Sequence, residues 1–308
     1  MITYHELSSI ENDLGIPIRT LFGVSNNLDK HYRKVKIPKR SGGFRTLTVP
    51  DDVLKKIQRA IVENILIYMP VSRYATAYKY GASVQKNARV HIAQNKILKL
   101  DIKHFFDSIF YSTVKETCFP ADRYSENIRI LLSMLCYYRD SLPQGAPSSP
   151  IISNIIMRDF DEEIGAWCCE RKITYTRYCD DMTFSGDFDE SEIISLVKTR
   201  LLKYRFVLNS QKTKVTKQGQ RQTVTGLTVN QKLNVCTEYR RELRQAVYYC
   251  KKYGVDEHIK HTGANVDGST YLHGLLGKIA FVLQTTPDNA EFQGYKKNIS
   301  ALIEQHKA

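Results

Sequence analysis

The stretch Tyr178-Cys179-Asp180-Asp181 lies between two short runs with the composition of β-strands, within residues 173–185. This pattern predicts a β-hairpin whose turn carries the two aspartates. Adjacent carboxylates at a turn repel each other, so the arrangement is costly unless a cation lies close to them. An exposed Asp-Asp turn without a function is the alternative. The hairpin is therefore a candidate metal site that needs support from the rest of the chain.

A further carboxylate, Asp101, closes the mainly apolar run at residues 96–100, which predicts a buried strand. With Asp180, Asp181 and the neighbouring Ile102, it is predicted to form a site for two Mg²⁺ ions about 3.5–4 Å apart, because Mg²⁺ prefers hard oxygen ligands. One ion would lower the pKa of an attacking hydroxyl, and the other would neutralise a leaving pyrophosphate. The alternative role for Asp101 is the N-cap of a helix after the strand.

Residues 142–150, Leu-Pro-Gln-Gly-Ala-Pro-Ser-Ser-Pro, combine three prolines with a glycine. This composition predicts a rigid turn that enters a helix. A rigid loop can place its backbone groups and Gln144 against a nucleotide at little cost in ordering entropy. A plain junction between a loop and a helix would explain the prolines alone.

The aspartate strand, the LPQG turn and the YxDD hairpin, in this order and at this spacing, resemble the palm motifs of reverse transcriptases. The middle residue of YxDD is usually Ala in bacterial enzymes of this family, and Cys179 stands there in this chain. The resemblance covers about residues 30–235. It implies an RNA-directed DNA polymerase with an α+β fold of the right-hand polymerase type. Such a fold has fingers, a palm (an antiparallel sheet plus helices) and a small helical thumb.

The resemblance also implies which residues bind the incoming deoxynucleotide. Lys39 and Arg45 match a basic fingers hairpin that grips the triphosphate, and Phe106 matches an aromatic ring that excludes a 2′-hydroxyl. A basic surface hairpin and a core Phe beside Phe105 are the alternatives. The implied nucleotide-binding residues are Lys39, Arg45, Phe106, Gln144, Gly145 and Lys212.

Two shorter matches resemble the bacterial retron enzymes: Asn87-Ala88-Arg89-Val90-His91 fits an NAxxH signature, and Val224-Thr225-Gly226 fits a VTG triplet. In that family the triplet region contacts a structured partner RNA, and the C-terminal helices act as a thumb. The implied RNA-binding residues are Asn87, His91, Val224, Thr225, Gly226, Arg240, Arg241 and Arg244. A solvated helix face is the alternative for the three arginines.

Kinship with retrons further implies DNA synthesis primed from an RNA 2′-hydroxyl, which leaves a branched RNA–DNA. The implied partners are a structured noncoding RNA as template and primer, its DNA product, deoxynucleotides, and an effector protein of a phage-defence system. A group II intron-like or other bacterial reverse transcriptase is one alternative. A non-catalytic RNA-binding protein, a metal-dependent nuclease and a nucleotidyl cyclase are the others.

The bulk composition agrees with nucleic acid as a partner. The 308 residues include 45 Lys and Arg against 32 Asp and Glu, a net charge of +13, which favours polyanions. The 19 tyrosines could stack on bases, although most tyrosines line protein cores. No apolar run approaches the ~18 residues of a membrane span and no export signal is visible, so we expect no membrane and a cytoplasmic location. The seven cysteines show no zinc spacing, and we expect them to be reduced and structural.

Local patterns predict the boundaries. Residues 35–49 alternate as two strands around a Ser-Gly-Gly turn at 41–43, and Asp51 and Asp52 can cap a helix. Its predicted inward face is Val53, Ile57, Ile61 and Ile65. The helix predicted after Pro150 turns Ile152, Ile155, Ile156 and Ile164 inward. From Thr237 the pattern is mainly helical, with Gly254 as a C-terminal cap. We therefore predict fingers and palm over residues 1–235 and a helical thumb or RNA-binding module over residues 236–308.

Overall fold

The computed structural model describes residues 4–39, 42–263 and 265–307, which form a mixed fold of helices and sheets. The helices are α1 Leu7–Leu14, α2 Ile18–Ser25, α3 Leu28–His31, α4 Asp52–Asn64, α5 Val84–Arg89, α6 Tyr111–Cys118, α7 Glu126–Cys136, α8 Ser149–Ile156, α9 Arg158–Glu170, α10 Glu190–Lys203, α11 Thr237–Tyr253, α12 Val255–Thr262, α13 Gly268–Thr285 and α14 Ala290–Lys307. The strands are β1 Tyr32–Pro38, β2 Phe44–Pro50, β3 Lys96–Lys103, β4 Thr174–Tyr178, β5 Asp181–Gly186, β6 Val207–Leu208, β7 Lys214–Lys217, β8 Thr223–Val224, β9 Leu227–Thr228 and β10 Asn234–Val235. The predicted α+β class is confirmed.

The chain divides into two compact units that do not coincide with the predicted division at residue 235. The first unit is Met1–Ala82 with Leu98–Val215, and the second is Ser83–Ile97 with Thr216–Ala308. The difference has its origin in burial, because Ala88 and Val224 share one apolar core with Leu243 and Ile279 of the C-terminal helices. A single-turn helix or a two-residue strand cannot bury an apolar face alone, so these segments join the helical unit.

The first β-hairpin forms where the sequence predicts it. β1 and β2 pair antiparallel along their whole length. Arg40 and Ser41 lie outside the described residues. Gly42 and Gly43 have φ angles of 87° and 76°, in the region that favours glycine.

α4 begins at its predicted cap, where the side chain of Asp51 accepts a hydrogen bond from the Leu54 amide at 2.9 Å. Ile57 and Ile61 are buried as predicted, but Val53 is 48% exposed, so its predicted inward position is wrong. Val53 precedes Leu54 by one residue, or about 100° of helix rotation, and Leu54 takes the buried position instead.

A five-stranded sheet runs in the order β4-β5-β3-β6, with β7 also paired to β3. The single helix predicted after Pro150 is two helices, α8 and α9. The chain leaves helical geometry between them at Met157, where φ is −83° and ψ is 2°. The residues predicted to face inward are all buried: Ile152, Ile155, Ile156 and Ile164.

The second unit combines a small sheet with α5 and the C-terminal helices α11, α12, α13 and α14. β8, β9 and β10 form a three-stranded sheet in the order β10-β9-β8. The mainly helical character after Thr237 is confirmed, and Gly254 with a φ of 87° ends α11 as predicted. None of the described helices combines the length and the apolar character that crossing a bilayer requires.

All seven cysteines are free thiols. Four of them are buried in the two cores: Cys118, Cys136, Cys168 and Cys250. Cys169 is exposed, so the predicted structural role by burial does not extend to it.

The backbone of α9 packs closely against an aromatic ring. A Cβ atom added at Gly165 would lie 2.0 Å from Cε2 of Tyr74. The Tyr74 ring is itself packed against the buried ring of Tyr175, with centroids 5.6 Å apart, which limits its freedom to move. Position 165 therefore has no room for a side chain.

Replacing Gly165 by alanine is expected to lower the free energy of unfolding by about 1–3 kcal/mol, because the added methyl overpacks the contact with Tyr74. Gly277→Ala in α13 is the control: nothing lies within 4 Å of its added Cβ. That variant should gain up to about 1 kcal/mol from helix propensity. Urea denaturation of both variants measures the difference, and equal stabilities would contradict the packing argument.

Candidate active site

The two strands around the aspartate pair form a tight hairpin. β4 and β5 pair with Tyr178 opposite Asp181, so the turn consists of Cys179 and Asp180. Cys179 has a φ of 63°, a conformation that costs free energy for any residue except glycine. The fold maintains this strained turn at the predicted metal site, where it presents two consecutive carboxylates at the end of the sheet.

Asp101 lies in β3 beside this turn. The amide of Ile102 donates a hydrogen bond to the Asp180 carbonyl at 3.1 Å, which connects the two segments directly. The side chain of Asp101 is buried. Its Oδ1 accepts from Nδ2 of Asn209 at 2.9 Å and its Oδ2 accepts from Nζ of Lys212 at 2.8 Å. Asp101 is thus a strand residue with side-chain partners, and the alternative of a helix N-cap is excluded.

The charges of the three aspartates act on one another. Burial, together with the negative charges of Asp180 and Asp101, raises the pKa of Asp181 to about 6. The hydrogen bond to Asp101 raises the pKa of Lys212, to which the charges of Asp180 and Asp181 add. The site therefore concentrates negative charge beside the Lys212 ammonium group, and the charge of Lys99 also acts on Asp181.

The three carboxylates do not form a ready metal cage. Within the described part of the chain, no group of three or more His, Cys, Asp or Glu side chains is arranged to hold an ion. The carboxylate of Asp101 is bonded to Lys212 and Asn209. The donor set nevertheless fits a hard divalent cation, since Asp101, Asp180 and Asp181 all offer carboxylate oxygens. Ile102 was also predicted as a metal ligand. Its amide donates to the Asp180 carbonyl, so its own carbonyl oxygen is the atom that could bind a cation.

The LPQG turn connects the fingers hairpin with Phe106. The Leu142 amide donates to the Phe106 carbonyl at 3.2 Å, and the Gly145 amide donates to the Thr48 carbonyl at 3.1 Å. A Cβ at position 145 would lie 2.7 Å from that Thr48 oxygen, so this approach requires glycine. Two of the predicted nucleotide-binding segments are thereby attached to one loop.

Phe106 and Phe105 have different surroundings. Phe105 is buried, whereas Phe106 is half-buried and contacts Phe105 edge-on, with ring centroids 5.3 Å apart. Phe105 is therefore the core residue of the two, and part of the Phe106 side chain remains accessible. Gln144 is also half-buried in the LPQG turn.

Lys39 and Arg45 lie on the β1–β2 hairpin, and both side chains are exposed. The Lys39 amide closes the hairpin by a hydrogen bond to the Gly43 carbonyl at 3.0 Å. Within residues 4–39, 42–263 and 265–307, no hydrogen bond or ion pair joins either cation to the three aspartates. The structure therefore presents them to solvent and does not bring them to the carboxylates.

A buried ion pair beneath the hairpin was not predicted. Arg177 and Asp161 are each 0% exposed, and their side chains meet in two hydrogen bonds of 2.6 and 2.8 Å. Arg177 also donates to the Cys179 carbonyl at 2.9 Å, and Tyr175 donates to Asp161 at 2.9 Å. The turn is thus anchored from inside the protein. The signal available in the sequence was an acidic residue on the inward face of α9 and an arginine in an apolar strand.

Tyr78 is a second contact of the turn that was not predicted. Its hydroxyl lies 3.2 Å from the Cys179 sulfur. Burial, with the charge of Asp180, raises the pKa of the Cys179 thiol to about 12. The thiol is therefore protonated at neutral pH and acts as an uncharged packing group.

The sequence model of the family described as reverse transcriptase (RNA-dependent DNA polymerase) matches residues 37–230. The chain belongs to the reverse transcriptase family. Retron Ec83 reverse transcriptase of Escherichia coli is 35% identical over 265 residues, which cover 80% of this chain and 81% of that protein. Retron Ec86 reverse transcriptase of the same organism is 30% identical, with 84% and 82% covered. Retron Mx65 reverse transcriptase of Myxococcus xanthus is 32% identical, with 85% and 63% covered.

The retron type of reverse transcriptase predicted from the sequence is therefore confirmed, together with its activity as an RNA-directed DNA polymerase. The α+β fold of the right-hand polymerase type is that of its family. Enzymes of this family generally use divalent metal ions and bind nucleic acid templates.

In this reverse transcriptase the two retron signatures pack together in the second unit. Asn87 of α5 donates to the Thr225 hydroxyl at 3.4 Å, and that hydroxyl donates to the Val84 carbonyl at 3.0 Å. Thr225 and Gly226 have φ angles of 45° and 82°, which suit the tight turn between β8 and β9. The NAxxH segment therefore supports the VTG turn.

Burial corrects the predicted RNA-binding set. Asn87, His91 and Val224 are completely buried, so their side chains do not present a surface to RNA. Burial lowers the pKa of His91 to about 4, which keeps it neutral at physiological pH. Thr225 and Gly226 remain accessible at the turn.

The three arginines of α11 differ in their accessibility. Arg244 pairs with Glu291 of α14 through contacts of 2.6 and 2.8 Å, so its charge is already committed within the unit. Arg240 is half-buried and Arg241 is exposed. Of the predicted arginine surface, Arg241 is the accessible cation.

Asp161→Asn is expected to lower the free energy of unfolding by about 3–5 kcal/mol, because it leaves the buried Arg177 without a counter-charge. Denaturant unfolding measures this loss. The control is Asp29→Asn, which breaks an ion pair of 3.0 Å between Asp29 and Arg139. The side chains of these two residues are 74% and 63% exposed, respectively. Solvent screens that pair, so the control should keep nearly the full stability. Equal losses in the free energy of unfolding would show that the buried pair contributes no more to stability than the exposed pair does.

Proposed function

We propose that this reverse transcriptase copies part of a structured noncoding RNA into single-stranded DNA by two-metal nucleotidyl transfer. The observation that carries the proposal is the direct connection of Asp101 to the turn through the bond between Ile102 and Asp180. Three carboxylates with coupled charges then lie at one end of the sheet, where a divalent cation would relieve their repulsion.

Asp101, Asp180 and Asp181 would hold two Mg²⁺ ions, with the carbonyl of Ile102 as a further oxygen donor. Bound there, the ions would supply activation of the primer hydroxyl and neutralisation of the pyrophosphate. Lys212 holds one carboxylate of this set at 2.8 Å and keeps its proton. It would release Asp101 to the cation and offer its charge to the departing pyrophosphate.

The incoming deoxynucleotide would meet groups from three segments. Lys39 and Arg45 supply exposed positive charge for the triphosphate. Phe106, accessible above the buried Phe105, would exclude a 2′-hydroxyl. Gln144 and Gly145, on the turn attached to the Phe106 carbonyl and to β2, would border the nucleotide.

Retron relatives over most of the chain support a retron product as well. Synthesis would begin from an RNA 2′-hydroxyl and leave a branched RNA–DNA. The turn at Thr225 and Gly226, with Arg241, would contact the partner RNA. We assign fingers and palm to the first unit and the thumb or RNA-binding module to the second. An effector protein in phage defence would complete the system.

The other candidates are a group II intron-like or different bacterial enzyme and a non-catalytic RNA-binding protein. No observation favours either over the retron enzyme. Primer extension with deoxynucleotides separates catalysis from mere binding, and the chemistry of the product separates retron priming from ordinary priming.

Asp180→Asn is expected to abolish primer extension in Mg²⁺ and to leave RNA binding largely in place, because it removes a carboxylate from the metal site and no charge from the RNA surface. Gel-based extension and filter binding measure the two properties. Asp140→Asn, at an exposed position, is the matched control and should extend normally. Retained extension by Asp180→Asn would contradict the two-metal mechanism.

Nucleic acid purified with the protein from its native locus is expected to contain a structured RNA joined to single-stranded DNA through a 2′–5′ linkage. Sequencing after treatment with a debranching enzyme identifies the junction. If only unrelated cellular RNA copurifies, the retron mechanism is overturned, although the polymerase activity would stand.

A further inference from the structure

α11, α12 and α13 enclose a cavity of about 1010 Å³ within the second unit. Its walls carry several aromatic rings. The residues that matter are Tyr239, Tyr249, Tyr253, His258, Tyr271 and Lys278. None of them belongs to the site described above.

Four of these rings form a continuous series. The ring centroids of Tyr253 and Tyr249 lie 5.8 Å apart, those of Tyr249 and His258 lie 5.7 Å apart, and those of His258 and Tyr271 lie 5.6 Å apart. A series of aromatic rings beside open space is the arrangement on which unpaired nucleobases stack.

Two polar rings of the cavity lining lie within hydrogen-bonding distance of each other. Nε2 of His258 lies 2.9 Å from the Tyr271 hydroxyl. Burial, with the charge of His261, lowers the pKa of His258, so the imidazole is neutral at physiological pH. A neutral ring with hydrogen-bonding partners suits the edge of a base and does not suit a phosphate.

Charged side chains also line the cavity. Glu257 is paired with Lys260 at 2.7 Å, and Lys278 and Glu242 belong to the same lining. The ammonium of Lys252 lies 5.1 Å from the centroid of the Tyr253 ring, which itself is 56% exposed. Lysine charge beside an exposed ring of the series matches a nucleotide whose base stacks on the rings while its phosphate meets the ammonium group.

We propose that this cavity binds unpaired bases of a single-stranded RNA segment. The inference rests on the proposed function, in which the second unit meets a structured RNA. Ligand cavities usually measure about 300–1,000 Å³, so this one has room for more than one nucleotide. The site holds a looped or single-stranded part of the RNA by stacking, at a place separate from the polymerising carboxylates.

The test compares two tyrosines of the same helix. Tyr253 and Tyr248 are 56% and 53% exposed, and Lys252 lies over both rings, at 5.1 and 5.4 Å. Of this pair, Tyr253 lines the cavity. Substitution of either residue removes the same exposed ring and the same cation contact, so Tyr248→Ala is a matched control for Tyr253→Ala.

The probes are a fluorescein-labelled 12-nucleotide single-stranded RNA of mixed sequence and a duplex of the same length, each titrated against the full chain by anisotropy. Tyr253→Ala is expected to weaken single-strand binding by about fivefold or more, the size of one lost base stack. Tyr253→Phe keeps the ring and should bind as the wild type does. Tyr248→Ala should stay within about twofold of the wild type. Duplex binding should not change in any variant, because paired bases cannot enter the cavity.

A second measurement does not depend on variant folding. A 12-nucleotide RNA that contains 4-thiouridine, irradiated with the wild-type protein, is expected to crosslink to peptides that contain Tyr249 or Tyr253. Crosslinks confined to other regions would overturn the proposal, as would equal single-strand affinities of Tyr253→Ala and Tyr248→Ala. Wild-type primer extension in the same preparation separates the two hypotheses. If extension is normal and the cavity results are negative, only the cavity proposal fails, whereas a protein that neither extends primers nor binds RNA fails the proposed function itself.

Discussion

Repulsion among Asp101, Asp180 and Asp181 is the constraint that the first unit has to satisfy. Asp180 lies in the turn between β4 and β5, Asp181 is the first residue of β5, and Asp101 lies in the strand joined to the turn by the bond between Ile102 and Asp180. Burial and, after it, the charges of the other two carboxylates raise the pKa of Asp181 to about 6. The positive charge of Lys212 offsets part of this repulsion through its contact with Asp101. Such a concentration of charge is stable only where the surrounding fold fixes the backbone firmly.

The turn is held by a buried ion pair, and the burial of these two charges itself costs free energy. The pair of Arg177 and Asp161 is removed from water, and the guanidinium reaches the Cys179 carbonyl at 2.9 Å. Desolvation makes such a pair a weak source of stability, but removal of one partner is strongly unfavourable. It therefore specifies one position of the turn. The positive φ of Cys179 is a second cost that the same anchoring tolerates.

The second unit uses the same principle with uncharged groups. Its two signature segments, more than a hundred residues apart in sequence, meet in the hydrogen bond between Asn87 and Thr225. Buried polar groups hold an exposed turn, so the residues that form the signature are largely distinct from those that can touch a ligand. The tyrosines of α11 and α13 line a cavity whose aromatic rings are available for stacking.

The sequence by itself determined the candidate carboxylates, the LPQG turn, the hairpins and the family, because these depend on residue types at short spacing along the chain. It also predicted the inward faces of most helices, since burial of apolar side chains follows helix periodicity. Only the tertiary structure decided that Lys212 and Asn209 hold Asp101, that Arg177 anchors the turn, and that Asn87 and His91 are buried. These relations join residues far apart in the chain, where periodicity carries no information. For the same reason the division at residue 235 missed the segment at 83–97, which joins the second unit by apolar burial in three dimensions.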